Sequence, residues 1–294
     1  MKMKYFKSLM VLILFFAVII NIQGCVSIPV YKSSVSFENP YARLNIIDIE
    51  PNKEESSGVL LRMNPPNLGI FKYNEENTLF ARIKDKKGLK FDFNMIREDS
   101  YQPGSREDSH VIISETKFEK KGGKIATEIE VNSRGEIIRF IKGSHRSQIG
   151  RFEIKDWTRT PILPEGKVKI GDVWEWEEIM DARMKSFLIK DIAPEPYVIR
   201  ATSILKGFAS VDNVRCAVIE TSAVQQKTQH VKVLFSRFDF TINSTIKDIT
   251  YIDYAKGAVI AQITMTESRT QSEQTFLNDV GRGQSIAYLI TDGE

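Results

Sequence analysis

Strict alternation of apolar and polar side chains restricts this chain more than any other feature. In Lys124–Val131, the residues Ile125, Thr127, Ile129 and Val131 alternate with Ala126, Glu128 and Glu130. A period of two sends the two sets to opposite faces of an extended backbone, so the segment predicts a half-buried strand. The rhythm returns in Ala258–Ser268, where Val259, Ala261, Ile263 and Met265 alternate with Gln262, Thr264 and Thr266. A helix would smear both patterns around its circumference.

Turn chemistry separates the strands. Lys120-Lys121-Gly122-Gly123 stands between His110–Glu119 and Lys124–Val131, and Asn132-Ser133-Arg134-Gly135 leads into Glu136–Ile141. Glycine supplies the positive φ that tight turns need, so these three segments predict an antiparallel meander. Further strands are expected at Arg43–Glu50, which stops at Pro51, at Val59–Met63 inside an otherwise loop-like Asn52–Asn77, and at Thr78–Ile83 and Leu89–Ile96 around Asp85-Lys86-Lys87-Gly88. The second half adds Tyr197–Leu205, Val214–Val224, Val231–Ile242, Thr245–Tyr254 and Ala258–Ser268. The expected fold is mainly β: antiparallel meanders forming a half-barrel, barrel or sandwich, with at most one or two short helices. One helix is expected over Trp176–Ile189, where Trp176, Ile179, Met180, Met184, Phe187 and Leu188 recur at near-helical spacing. A pair of strands is the alternative reading.

The N-terminus carries a different signal. Lys2, Lys4 and Lys7 precede twelve unbroken apolar residues, Leu9–Ile20. Twelve helical residues span about 18 Å, short of a hydrocarbon core of about 30 Å, so the segment reads as a signal-peptide core rather than a permanent span. Ile22-Gln23-Gly24-Cys25 follows and resembles the bacterial lipobox, with an aliphatic residue at −3 and a small one at −1. The resemblance implies cleavage between Gly24 and Cys25 and a diacylglycerol thioether on Cys25. Two acyl chains anchor a protein where one would leave it reversible. Val26 stands where an inner-membrane retention signal would place Asp, so the resemblance implies an outer-membrane anchor facing the periplasm if the source has two membranes.

This leader accounts for the charge. The chain carries 41 basic and 38 acidic residues, and losing residues 1–24 with their three lysines leaves 38 of each. A neutral body has no global attraction to nucleic acid. The expected organisation is a signal peptide over 1–24 and a lipidated Cys with its tether over 25–41. A β-rich body over 42–270 follows, with similar turn-strand endings around Gly135 and Gly257 pointing to two halves, 42–176 and 177–270. A tail over 271–294 either adds a strand or stays loose. Fully extended, the sixteen residues Val26–Tyr41 reach roughly 50–55 Å.

Trp157–Trp176 is densely punctuated by Pro161, Pro164, Gly166 and Gly171. Its Leu163-Pro164-Glu165-Gly166-Lys167-Val168-Lys169-Ile170-Gly171-Asp172-Val173-Trp174 resembles an "LP…xVxxGDxW" signature of uncharacterised exported bacterial β-rich proteins, the DUF6263-like group. Ser133-Arg134-Gly135-Glu136-Ile137, Cys216-Ala217-Val218-Ile219 and Lys256-Gly257-Ala258-Val259 match further motifs of that group in the same order. The resemblance implies a fold and a compartment and carries no activity with it. Physically, Gly171-Asp172 predicts a tight turn with Asp172 bonded to nearby backbone, and Trp174 a strand residue packed into the core.

No constellation for chemistry stands out. His110, His145 and His230 form no metal-ligand spacing. With Cys25 lipidated, Cys216 has no partner and reads as a buried strand residue. No Gly-rich phosphate loop or nucleophile elbow occurs. Asp172, Glu175, Glu177 and Glu178 beside Trp174 and Trp176 are the densest acids, a pattern that glycoside hydrolysis also uses. The expectation is therefore a non-enzymatic lipoprotein with no cofactor and no metal. It would be held to membrane lipid through Cys25 and would bind an apolar ligand in a half-barrel cavity or an envelope protein partner. An envelope hydrolase using the Asp172–Glu178 acids and a purely structural adaptor are the alternatives.

Overall fold

The structure is a computed structural model that describes residues 44–63, 70–82, 89–118, 124–147, 150–152, 161–180, 191–194, 197–233, 236–271 and 278–289. Cys25, Gly24, the leader and the tether lie outside the described residues. The first half holds β1 (Ile46–Ile49), α1 (Lys53–Ser57), β2 (Ile70–Arg82), β3 (Leu89–Pro103), β4 (Ser109–Phe118), β5 (Lys124–Asn132), β6 (Ile137–Ser147) and β7 (Gly150–Phe152). The second holds β8 (Val173–Met180), β9 (Asp191–Pro194), β10 (Tyr197–Val211), β11 (Val214–Val233), β12 (Ser236–Asp253), β13 (Ala258–Gln271) and β14 (Asn278–Leu289).

All fourteen strands belong to one antiparallel sheet. Twelve follow one path, β1-β10-β11-β12-β13-β14-β2-β3-β4-β5-β6-β7, while β8 pairs with β10 and β9 with β11. The fold is thus mainly β, as the alternation predicts, and the sheet is not closed into a barrel. It is strongly curled. Tyr73 on β2 donates its hydroxyl to the Val259 carbonyl on β13, two strands away, at 3.1 Å. Ile137 on β6 lines the same cavity as Val259 and Gln262 on β13. The architecture is the half-barrel among the expected forms.

Register determines what the concave face carries. Ser203, Thr221, Asp248, Thr264, Ser285 and Asn77 are successive cross-strand partners over six strands, so they form one polar row. The row is knitted by side chains: Ser203 and Thr221 hydroxyls lie 2.8 Å apart, and Asp248 accepts from Thr250, Gln262 and Thr264 at 2.5–3.0 Å. Beside this row, Val59, Leu61, Met63, Leu163 and Val168 pack over Leu205, Phe208, Ile219, Ile252 and Val259 as an apolar plug. Val59 and Val168 bridge backbone to backbone at 2.9 Å, which ties the two covering segments together. A second apolar cluster, including Leu44, Val211, Cys216, Tyr251 and Ile263, lies on the opposite face.

Turn predictions hold where they are described. Gly135 has φ 86° and Gly171 φ 91°, conformations that favour glycine. The Lys169 amide donates to Asp172 Oδ2 at 2.8 Å, the expected Asx contact.

Four expectations need correction. Val59–Met63 is not a strand; only Val59 pairs, in an isolated bridge to Val168. Trp176–Met180 is strand, not helix, and Ile179 is 75% exposed rather than core-facing. The run Val173-Trp174-Glu175-Trp176-Glu177 alternates strictly, and pairing with β10 satisfies its backbone. The remainder of the expected helix, through Ile189, lies outside the described residues. Val231–Ile242 is not one strand: β11 runs through to Val233 and β12 starts at Ser236, and the two pair antiparallel with Val233 opposite Ser236. Within Asn52–Asn77, helix α1 is set by a capping box, and β2 already begins at Ile70. In the box the Glu55 amide donates to Asn52 Oδ1 at 2.9 Å and the Asn52 amide to Glu55 Oε2 at 2.6 Å. The tail takes the first of its two expected forms: β14 pairs with β13 on one side and β2 on the other.

Candidate functional site

β2 and β3 carry the most unusual interior. Tyr73, Glu75 and Asn77 share one face of β2, and Met95, Arg97, Asp99 and Tyr101 share one face of β3; all seven are buried. Register sets Tyr73 opposite Arg97. Arg97 Nη1 lies 3.1 Å from Glu75 Oε1, its Nε lies 3.1 Å from Asp99 Oδ2, and its guanidinium sits 4.3 Å above the Tyr73 ring. One buried cation thus faces two buried carboxylates.

The electrostatics follow from burial. Loss of water pushes the Asp99 carboxyl upward, with Arg97 and the Ser114 hydroxyl opposing the shift. Burial likewise raises the Tyr73 and Tyr101 hydroxyls, which keeps both phenols neutral. His110, whose ring lies 5.6 Å from that of Tyr101, is pushed downward by burial and stays uncharged at neutral pH. Asp99 Oδ1, His110 Nε2 and both amide atoms of Asn77 have no hydrogen-bond partner among the described residues. Buried polar atoms are seldom left this way.

A cavity of about 60 Å³ opens at this cluster. Its lining is mixed: Arg97, Asp99, Ser114, Thr127 and Gln262 are polar, and Met63, Ile112, Ile129, Val131 and Val259 are apolar. Its dual character arises where the plug meets the polar part of the concave face. An arrangement of this kind suits a molecule with one polar end and one apolar end.

The residues singled out in the sequence lie elsewhere. Alternation on β8 turns Trp174 and Trp176 to the half-buried face and Glu175 and Glu177 to the exposed one. The Trp174 indole donates to the Ile162 carbonyl at 2.7 Å and the Trp176 indole to Ser203 Oγ at 3.0 Å, so both serve packing. Glu177 pairs with Arg200 at 2.7 Å on the surface, and Asp172 is held in its turn. Glu175 and Glu177 therefore do not share a face with the indoles, whereas Glu178, half-buried, does. Cys216 is fully buried on β11, and burial pushes its thiol up to about 12. His230 Nδ1 lies 2.6 Å from Asp239 Oδ1, and the side chain of His145 lies outside the described residues. No group of three or more potential metal ligands occurs among the described residues.

The sequence reading passed over Glu75, Arg97 and Asp99. Strand parity is the signal for them, since they share parity with Tyr73, Met95 and Tyr101. However, Lys72, Glu76 and Glu98 put charge on the other parity too, so the sequence does not mark which face is inside.

No family model matches the chain, and no curated protein matches it. Among solved structures it is similar to OmpT, an outer membrane protein of Vibrio cholerae, in its in-vitro folded trimer form, at 8% identity and a TM-score of 0.21. A loop-deletion mutant of the same protein is similar at 9% identity and the same TM-score. In each case 76% of this chain and 99% of the other are covered. A TM-score this low carries no functional argument.

Proposed function

We propose that the chain is a lipid-anchored envelope protein that works without catalysis, binding a ligand on the concave face of its half-barrel. The anchor is Cys25, acylated after cleavage at Gly24, and the tether 25–41 lets the body stand off the membrane. In a cell with two membranes its place is the outer membrane, facing the periplasm. One observation carries the binding reading: the cavity beside Arg97 and Asp99 is lined by polar and apolar side chains together. The ligand is accordingly apolar for most of its length, with a polar terminus seated at Asp99.

Native mass spectrometry of the full chain extracted from membranes tests this directly. The expected spectrum shows a chain starting at Cys25 with a diacylglycerol mass and a bound small molecule. A chain starting upstream of Cys25 refutes the anchor, and a bare acylated chain refutes the binder.

A docking role for a protein partner has its own support. Strand β8 exposes Val173 at 57% and Ile179 at 75%, with Glu175 and Glu177 between them on the same face, a mixed surface that a partner would cover. Photo-crosslinking from position 179 in intact cells reads this out: a discrete adduct is expected, and its absence refutes that role.

A further inference from the structure

The cavity sets one unmet hydrogen-bonding atom beside apolar side chains. Asp99 is 7% exposed and lines the space. Its Oδ2 lies 3.1 Å from Arg97 Nε, whereas its Oδ1 has no hydrogen-bond partner among the described residues. A buried polar atom in that state costs free energy until a partner arrives. Met63, Ile112, Ile129, Val131 and Val259 line the same space and offer their side chains no hydrogen bond to water. An ordered water needs about two to four polar partners, so water against these side chains is held poorly. The missing element is a neutral polar group that carries carbon behind it.

We propose that this cavity seats an alcohol, whose hydroxyl bonds to Asp99 Oδ1 and whose first carbons pack against Met63, Ile129 and Val259. A hydroxyl both donates and accepts, so it matches a carboxyl oxygen whether or not that carboxyl holds its proton. This matters at Asp99, which burial pushes toward the protonated form. A charged head is disfavoured, because it has to leave water for a place where the lining cation, Arg97, already faces Glu75 and Asp99. Size agrees: at roughly 10–15 Å³ per water, about 60 Å³ holds about four water-sized groups, enough for a hydroxyl and its first carbons. The inference rests on the binding reading above and deepens it by naming the polar end of the ligand, whether that end belongs to a free alcohol or to the hydroxyl of a lipid headgroup.

Protein-observed NMR of the full chain, stripped of co-purified lipid and held in a detergent without hydroxyl groups, tests the site with 1-propanol, propylammonium and propionate at constant ionic strength. The expected result is saturable one-to-one binding of 1-propanol, at least about fivefold tighter than that of either ion. Asp99→Leu, which removes the acceptor, and Ile129→Trp, which fills the space, should each weaken 1-propanol at least about fivefold, while the surface variant Glu177→Gln should bind like wild type. Should both cavity variants fail to fold, the wild-type preference for the alcohol over the two ions still decides the question. No saturable 1-propanol binding, which means a cavity holding water only, overturns the proposal. So does equal or tighter binding of either ion, or undiminished binding by a folded Asp99→Leu or Ile129→Trp. Native mass spectrometry separates the sources: a co-purified lipid with a free hydroxyl identifies a headgroup, and 1-propanol binding by a chain that carries no lipid identifies a free alcohol. A co-purified lipid lacking a hydroxyl, with no 1-propanol binding after its removal, overturns this inference and leaves the binder standing.

Discussion

Glu55 offers a sharp test of how the covering segment is fastened to the sheet. This residue of α1 is buried, and it accepts from Arg215 Nε at 2.6 Å, from Arg215 Nη2 and from the Tyr254 hydroxyl. Hydrogen bonds from Arg215, then from Tyr254 and the Asn52 amide, outweigh burial and hold its carboxyl at about 2, against an ordinary 4.5. A displacement of that size corresponds to ~3 kcal/mol favouring the ionised form in the folded chain. Arg215 keeps 38% of its side chain in water, and screening there reduces the net contribution to ~2 kcal/mol. The sign follows from a lowered carboxyl: the stabilisation is complete above about 4.5 and is lost as pH falls from there toward 2. Urea unfolding of wild type and Glu55→Gln should show the variant ~2 kcal/mol weaker at pH 7, with the gap shrinking to roughly half or less by pH 3. Glu130 is also held near 2, chiefly by the Ser105 hydroxyl and amide, so both proteins lose stability in that window; only the difference between them reports Glu55. A gap that is absent at pH 7, or that persists unchanged at pH 3, refutes the reasoning.

Other outcomes follow from the same geometry. Asp248→Ala removes the acceptor shared by Thr250, Gln262 and Thr264 inside the sheet and should cost ~2 kcal/mol in urea unfolding; a cost below ~0.5 kcal/mol contradicts the network. The Cys216 thiol, buried and pushed up to about 12, should resist a thiol reagent at pH 8 in the folded chain and react fully in urea, so rapid native labelling contradicts its placement. Deleting residues 278–289 removes the strand between β13 and β2 and should abolish cooperative unfolding followed by circular dichroism; a retained sigmoidal transition contradicts the single-sheet topology.

The strand content was readable because alternation is local. Ile125 through Val131 and Val259 through Met265 declare their two faces within a few residues. Trp176–Met180 misled because Trp176, Ile179 and Met180 also fit helical spacing over a short window, and only the distant pairing with β10 decides between the two. The junction of β11 and β12 was misplaced because no Gly, Pro, Asn or Asp occupies residues 234 and 235. The cavity was not legible at all. It depends on which parity of β2 and β3 faces inward and on curvature that brings β6 toward β13. Both are set by pairings between residues more than a hundred positions apart.

The position of β14 has a consequence for how the chain is made. Residues 278–289 leave the ribosome after every other described strand, yet they form the seam between the meander that begins at β2 and the one that ends at β13. Until they arrive, each half presents a long bare rim of amides and carbonyls, ready to zip onto a neighbouring chain. Premature termination is therefore costlier for this protein than an equally long loss at an outer strand: it leaves one chain with two bare-edged sheets rather than one slightly narrower sheet.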